Sequence, residues 1–290
     1  MLRLVSKRLP KKVQIVLDGL QATVDAGVDF NTRKEAAKNL WSTKGGVVGK
    51  HAFEKISKKL LEQCVFVGIC NYCEHNEASD VEHIYPKSFF PEHAFRWDNY
   101  LLACKTCNSG YKLDKCYVID NDGQIVTVQR GAEPAYKTLA FINPKEEDPT
   151  RYKYLNLKTF KFDEMTELDR ISRLKYEKTI EILELNLRDT LIEARKTAYN
   201  YYYSRLRQLT EILKSETKEK LLEILSPHED EIDHAGKSLE VLKTHFKESY
   251  RKDIVRFQHP SVWYSIKMIE SKTDTKWRRL FEYLPEAANW

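Results

Sequence analysis

Two Cys-x-x-Cys pairs, Cys70/Cys73 and Cys104/Cys107, stand 30 residues apart in a chain of 290. Four thiolates close a tetrahedral zinc site with no position left open, so the expected ion is structural. Such a knot forces the enclosed segment to double back on itself. That segment holds Asp80-Val81-Glu82-His83-Ile84-Tyr85-Pro86-Lys87 and then Trp97-Asp98-Asn99, with Asn108 directly after the last cysteine. Cys64 and Cys116 fall outside the pairs and are expected to be buried or idle thiols.

The start of the sequence, Met1 to Lys12, is basic but has no apolar stretch and no small-residue cleavage site, so no signal peptide is expected. No run approaches the ~18 apolar residues of a membrane span. Six cysteines in such a chain point to metal binding in a reducing, cytoplasmic setting rather than to disulfides. Charge is unevenly spread: residues 1–60 carry 13 Lys and Arg against 5 Asp and Glu, an excess of +8 in a chain of net +5. Lys and Arg displace counterions condensed on a polyanion, so this arm suits a nucleic acid; a solvated helical face is the plainer alternative.

The pattern predicts an α+β chain, mostly helical. Val13, Val16, Leu17 and Leu20 recur at helical spacing over 13–40, as do Phe53, Ile56, Leu60 and Leu61 over 52–63, with Gly45, Gly46 and Gly49 expected in an exposed loop between them. The expected divisions are a basic helical region at 1–63, a cysteine-stapled core at 64–118, short strands and linker at 119–165, and a helical region at 166–290. Residues 117–128 read as two strands about an Asn-Asp-Gly turn, and Tyr152–Leu157 as another strand. Thr166 with Asp169 resembles a capping box. Leu168, Ile171, Leu174, Ile180, Leu183 and Leu187 form one apolar stripe, which Leu191, Ala194, Ala198, Tyr202, Leu206, Leu209 and Ile212 continue. Ser226-Pro227 is expected to end a helix, with others at 236–256 and 261–284. Tyr199 and Tyr201–Tyr203, near Arg195, Arg205 and Arg207, offer base stacking, with packing the commoner use of such a run.

Inside the knot, the imidazole of His83 can take a proton from water, the step that makes a nucleophile for phosphorus. Displacement at a phosphodiester also needs charge neutralised on the oxygens, which a hard ion such as Mg²⁺ does using oxygen ligands. Glu82 and the amide oxygen of Asn108 can supply those ligands, and the second cysteine knuckle holds Asn108 near Glu82. Lys87, Lys105 and Lys112 are candidate phosphate contacts. Trp97 is expected to pack beneath the hairpin, and His93 to be structural.

Taken together, the Asp80–Lys87 run, Trp97-Asp98-Asn99-Tyr100-Leu101-Leu102 and Cys104-Lys105-Thr106-Cys107-Asn108 with Lys112 resemble the HNH endonucleases stapled by a four-cysteine zinc. That resemblance implies a ββα-metal core with His83 as general base. It also implies Glu82 and Asn108 as ligands of catalytic Mg²⁺ or Mn²⁺, and Asn99 as the asparagine that pins the loop. Asp80 is the weaker candidate, an outer hydrogen-bond partner. Cys70-Asn71-Tyr72-Cys73-Glu74, Phe141-Ile142-Asn143-Pro144 and Leu185-Asn186-Leu187-Arg188 extend the likeness to the HNH subunits of Septu-type and retron-associated defence systems. The family implies an ABC/SMC-like ATPase partner of the PtuA type, in some systems with a retron reverse transcriptase and its RNA–DNA product, and restraint of the nuclease until infection. A stand-alone restriction or phage-type DNA nuclease, an RNA- or tRNA-directed nuclease and a non-catalytic zinc adaptor remain the alternatives.

Overall fold

The N-terminal apolar spacing builds three helices, α1 (Lys11–Asp25), α2 (Phe30–Thr43) and α3 (Val47–Leu61). This is a computed structural model that describes residues 1–66, 68–113, 115–225, 234 and 236–290. The single helical stretch expected over 13–40 is divided because Asp29 caps α2, its side chain accepting the Thr32 amide at 2.8 Å. Gly49, expected in a loop, is inside α3. A Cβ there would meet the Lys44 backbone oxygen at 1.4 Å, so the glycine permits the close approach of the preceding turn. That turn runs through Lys44, Gly45 and Gly46, all at positive φ (57°, 67° and 88°).

After α3 come β1 (Asp80–His83) and β2 (Tyr100–Ala103), an antiparallel pair with Glu82 opposite Leu101 and His83 opposite Tyr100. Residues Thr106–Lys112 form a wide helical turn of the π type. The Asn-Asp-Gly turn closes β3 (Tyr117–Ile119) and β4 (Ile125–Thr127) as expected, with Gly123 at φ 70° and Asp120 accepting two backbone amides; β5 (Thr138–Leu139) adds a third strand. Strands β6 (Lys153–Asn156) and β7 (Lys161–Glu164) make another two-stranded sheet. Helices then dominate: α4 (Arg170–Leu183), α5 (Asp189–Lys214), α6 (Lys218–Ile224), α7 (Leu239–Val255), α8 (Pro260–Ser265), α9 (Ser271–Thr273) and α10 (Thr275–Tyr283). The protein is thus α+β and mostly helical, and among the described residues no helix is long and apolar enough to cross a membrane.

The chain falls into two units, Met1–Tyr154 with Lys161–Leu191 and Leu155–Phe160 with Ile192–Trp290. In the first, Val13, Leu17 and Val24 of α1 and Phe53, Ile56 and Leu60 of α3 share one core with Phe95, Trp97, Tyr100 and Leu102. Trp97 is buried there, its indole N–H donating to Lys7 O at 2.8 Å. The N-terminal helices are therefore a wall of the cysteine-stapled region.

The apolar stripe across 168–187 is corrected. Leu183 is buried as expected, but Leu187 is 74% exposed and Ile171 37%, and Thr179, Ile182 and Leu185 are buried instead. Leu187 falls out of phase because α4 stops at Glu184, which turns left-handed at φ 48°. Asp169 itself caps α4, accepting the Ser172 amide and hydroxyl, so Thr166 is not its cap. In the second unit Ala198, Tyr202, Leu206, Leu209 and Ile212 are buried, as the heptad-like spacing of α5 requires. The tyrosine run packs: Tyr201 stacks on Phe257, Tyr202 bonds the Gln258 carbonyl, and Tyr199 accepts from the Trp277 indole. The helix end expected at Ser226-Pro227 lies outside the described residues; the later helices fall at α7 and α8 to α10.

Candidate active site

The four sulfurs of Cys70, Cys73, Cys104 and Cys107 lie within 4.8 Å of one another, all buried. Zinc–sulfur bonds of about 2.3 Å set tetrahedral sulfurs about 3.8 Å apart, and Cys73 and Cys104 are 3.9 Å apart. The Cys107 amide and the Asn76 side-chain amide donate to the Cys104 sulfur, and Arg188 donates to that of Cys107 at 3.4 Å. N–H groups aimed at sulfur favour thiolates, whereas burial, and then the crowding of the other three cysteines, pushes the Cys70 thiol well up. A cation resolves that conflict, and the donor set fits zinc. Of the two remaining thiols, Cys116 is buried and pushed up to about 12 by that burial, and Cys64 is half-buried.

The knot places β1 beside the 106–112 turn. At the end of β1 a cavity of about 280 Å³ is lined by Trp41, Glu82, His83, Lys87, Asn108, Lys112 and Leu113. Alternation along a strand sends Glu82 and His83 to opposite faces, yet both line this cavity.

His83 is 5% exposed, its Nε2 2.9 Å from the Ala94 carbonyl, which also accepts the Tyr100 hydroxyl at 2.6 Å. A carbonyl only accepts, so Nε2 carries the proton and Nδ1 keeps the lone pair. Burial, then the nearby Lys87 ammonium, holds the imidazole well below its usual range, so it stays neutral.

Asn99 fixes the loop around this ring. Its amide oxygen accepts the Tyr85 N–H at 2.7 Å, and its nitrogen donates to the carbonyls of Tyr85 (3.0 Å) and His93 (2.8 Å). The His93 ring stacks on Tyr85.

Glu82 Oε1 meets Lys112 Nζ at 2.5 Å and the Tyr72 hydroxyl at 3.4 Å. Asn108 donates from Nδ2 to Asp80 at 3.0 Å, which leaves its oxygen as an acceptor beside the same cavity. Glu82 Oε2 and that amide oxygen are hard donors, which fits a Mg²⁺- or Mn²⁺-type ion.

The lysines separate. Lys105 is exposed and Lys87 half-buried, but Lys112 is 3% exposed. Instead of offering a surface phosphate contact, Lys112 spends its charge on Glu82 and the His83 backbone oxygen, because the wide turn directs it inward.

Two groups were missed from the sequence. The Trp41 ring lies 4.3 Å from that of His83, and the Lys44 ammonium lies 3.2 Å from the Trp41 centroid. The signal was the Lys44-Gly45-Gly46 corner, read only as a loop.

The chain is similar to a Septu protein. Identity with Septu protein PtuB of Bacillus mycoides (strain KBAB4) is 28% over 181 residues, covering 57% of this chain and 58% of that one. The chain thus spans less than two-thirds of the length of the curated PtuB it matches. No family model and no solved structure matches it.

Proposed function

We propose that the protein is a metal-dependent HNH endonuclease that hydrolyses nucleic-acid phosphodiester bonds, with β1, β2 and the 106–112 turn as its ββα-metal core. The observation that carries this is the 2.9 Å contact between His83 Nε2 and the Ala94 carbonyl. The Nε2–H is committed to the Ala94 carbonyl, so Nδ1 is the basic atom of a ring that lines the same cavity as Glu82 and Asn108. A neutral buried imidazole is the form that takes a proton from water.

In this reading Glu82 and Asn108 hold Mg²⁺ or Mn²⁺, and Asn99 sets the loop that carries His83. A bound hard ion supplies charge neutralisation at the phosphate. The four-cysteine zinc keeps Asn108 opposite Glu82, with no open position for chemistry of its own. The similarity to PtuB supports an effector of prokaryotic anti-phage defence, working in the cytoplasm and controlled by an ATPase partner of the PtuA type that docks on the helical region at 166–290. DNA is the favoured substrate, since deoxyribose needs an external nucleophile such as activated water.

The test incubates wild-type protein and His83→Ala, alone and with the ATPase, against plasmid DNA and total RNA, with Mg²⁺ or no added divalent ion. Wild type cuts with Mg²⁺; His83→Ala keeps its fold and its zinc and loses about 10²–10⁴ in rate. Full activity in that variant overturns the assignment.

A further inference from the structure

Beside the cavity at His83 lies a second and larger one of about 610 Å³, lined by Trp41, Lys44, Lys50, Phe53, Glu54, Ser57, Asp80, Val81 and Asn108. Trp41, Val81 and Asn108 line both cavities, so the two are continuous along one wall. Its volume is within the about 300–1,000 Å³ typical of ligand pockets.

We propose that this groove carries the backbone of the strand being cut, with the phosphate next to the scissile one held by Lys44 and Lys50. The inference rests on the endonuclease reading and adds where the substrate lies. Three observations support it. Lys44 and Lys50 lie at the α2–α3 corner, which three positive-φ residues and the close approach at Gly49 fix in shape, so the backbone that carries both cations is set before any ligand arrives. Of the two carboxylates on the wall, Asp80 is engaged by Asn108, and Glu54 makes an exposed contact of 3.4 Å with His51. The Lys44 ammonium rests on aromatic faces, 3.2 Å from the Trp41 centroid and 4.6 Å from that of Phe53, and no carboxylate partner is recorded for it among the described residues. An ammonium held this way can turn to a phosphate oxygen and leave the indole to the adjoining base.

The experiment uses the full chain carrying His83→Ala, so that bound strands stay intact in Mg²⁺. Single-stranded DNA and single-stranded RNA oligonucleotides of one sequence are titrated across a range of salt. Adding Lys44→Ala and Lys50→Ala together is expected to weaken binding several-fold and to reduce the salt slope by about one per lysine. Bound strand is expected to quench a tryptophan signal that Trp41→Phe removes. Unequal response of the DNA and RNA arms identifies the sugar the groove accepts. Unchanged affinity and slope in the lysine variant overturn the proposal, even where wild-type protein cleaves normally. Binding that depends on these lysines in a protein that never cleaves leaves the groove assigned and refutes the endonuclease reading instead.

Discussion

The ammonium of Lys112 lies 2.5 Å from Glu82 Oε1 and 2.7 Å from the His83 backbone oxygen, with both side chains of the ion pair buried. Removing one partner of a buried pair strands the other charge, at a cost of about 3–5 kcal/mol. Lys112→Met is therefore expected to lower the urea midpoint markedly, and adding Glu82→Gln to restore much of it. Denaturation of the single and double variants checks this; additive losses would mean the two groups do not act as a pair. Added Mg²⁺ is expected to raise the Tm of Lys112→Met more than that of wild type, since an ion at Glu82 replaces the lost cation.

Asn99 supplies one acceptor and two donors to three backbone groups of the histidine loop. In Asn99→Asp both donors are lost and a carboxylate oxygen faces two carbonyls, at a cost of about 1–3 kcal/mol for each unsatisfied group. The expected result is a lower Tm with zinc content unchanged and cleavage strongly reduced. Wild-type activity in Asn99→Asp would show that the loop needs no such pin.

Arg188 bonds the Cys107 sulfur and stacks over Tyr111. Hydrogen bonds to metal ligands are typically worth 10–100-fold in metal affinity. Arg188→Met is expected to bind one zinc per chain but to yield it to a chelator dye at about 10–100-fold lower chelator concentration. Cys107→Ala is expected to lose the ion and unfold at a lower temperature.

Lys145 is buried among the Trp97 and Tyr100 carbonyls and the Trp97 ring, 4.0 Å from Asp98, and burial lowers it to about 8. Between about 8 and its unfolded value of 10.5 the unfolded chain binds more protons, so stability gained from this group rises with pH across that window and the burial cost is complete below it. The Tm difference between wild type and Lys145→Met is expected to shift in favour of wild type from pH 8 to 10. A difference that stays constant would place this titration outside the range.

The local parts of the site were legible because they are close in sequence. Each Cys-x-x-Cys pair sets its own knuckle, and Asn108 follows one of them directly. Trp41 and Lys44 were not legible, since they reach His83 across about 40 residues and only the packing of α2 and α3 brings them there. Gly49 misled for a related reason. A glycine signals a turn by default, and only the neighbouring chain reveals that the missing side chain makes room for Lys44 O. The stripe failed at Leu187 because Glu184, a left-handed residue, resets the helical phase in a way that apolar spacing does not record.

The sulfur cage draws its two halves from either side of the Glu82-His83 pair. During synthesis His83 and Glu82 emerge before Cys104, Cys107 and Asn108 exist beside them. On the endonuclease reading, a nascent or zinc-starved polypeptide is harmless to its host, and arming the enzyme waits on capture of the ion.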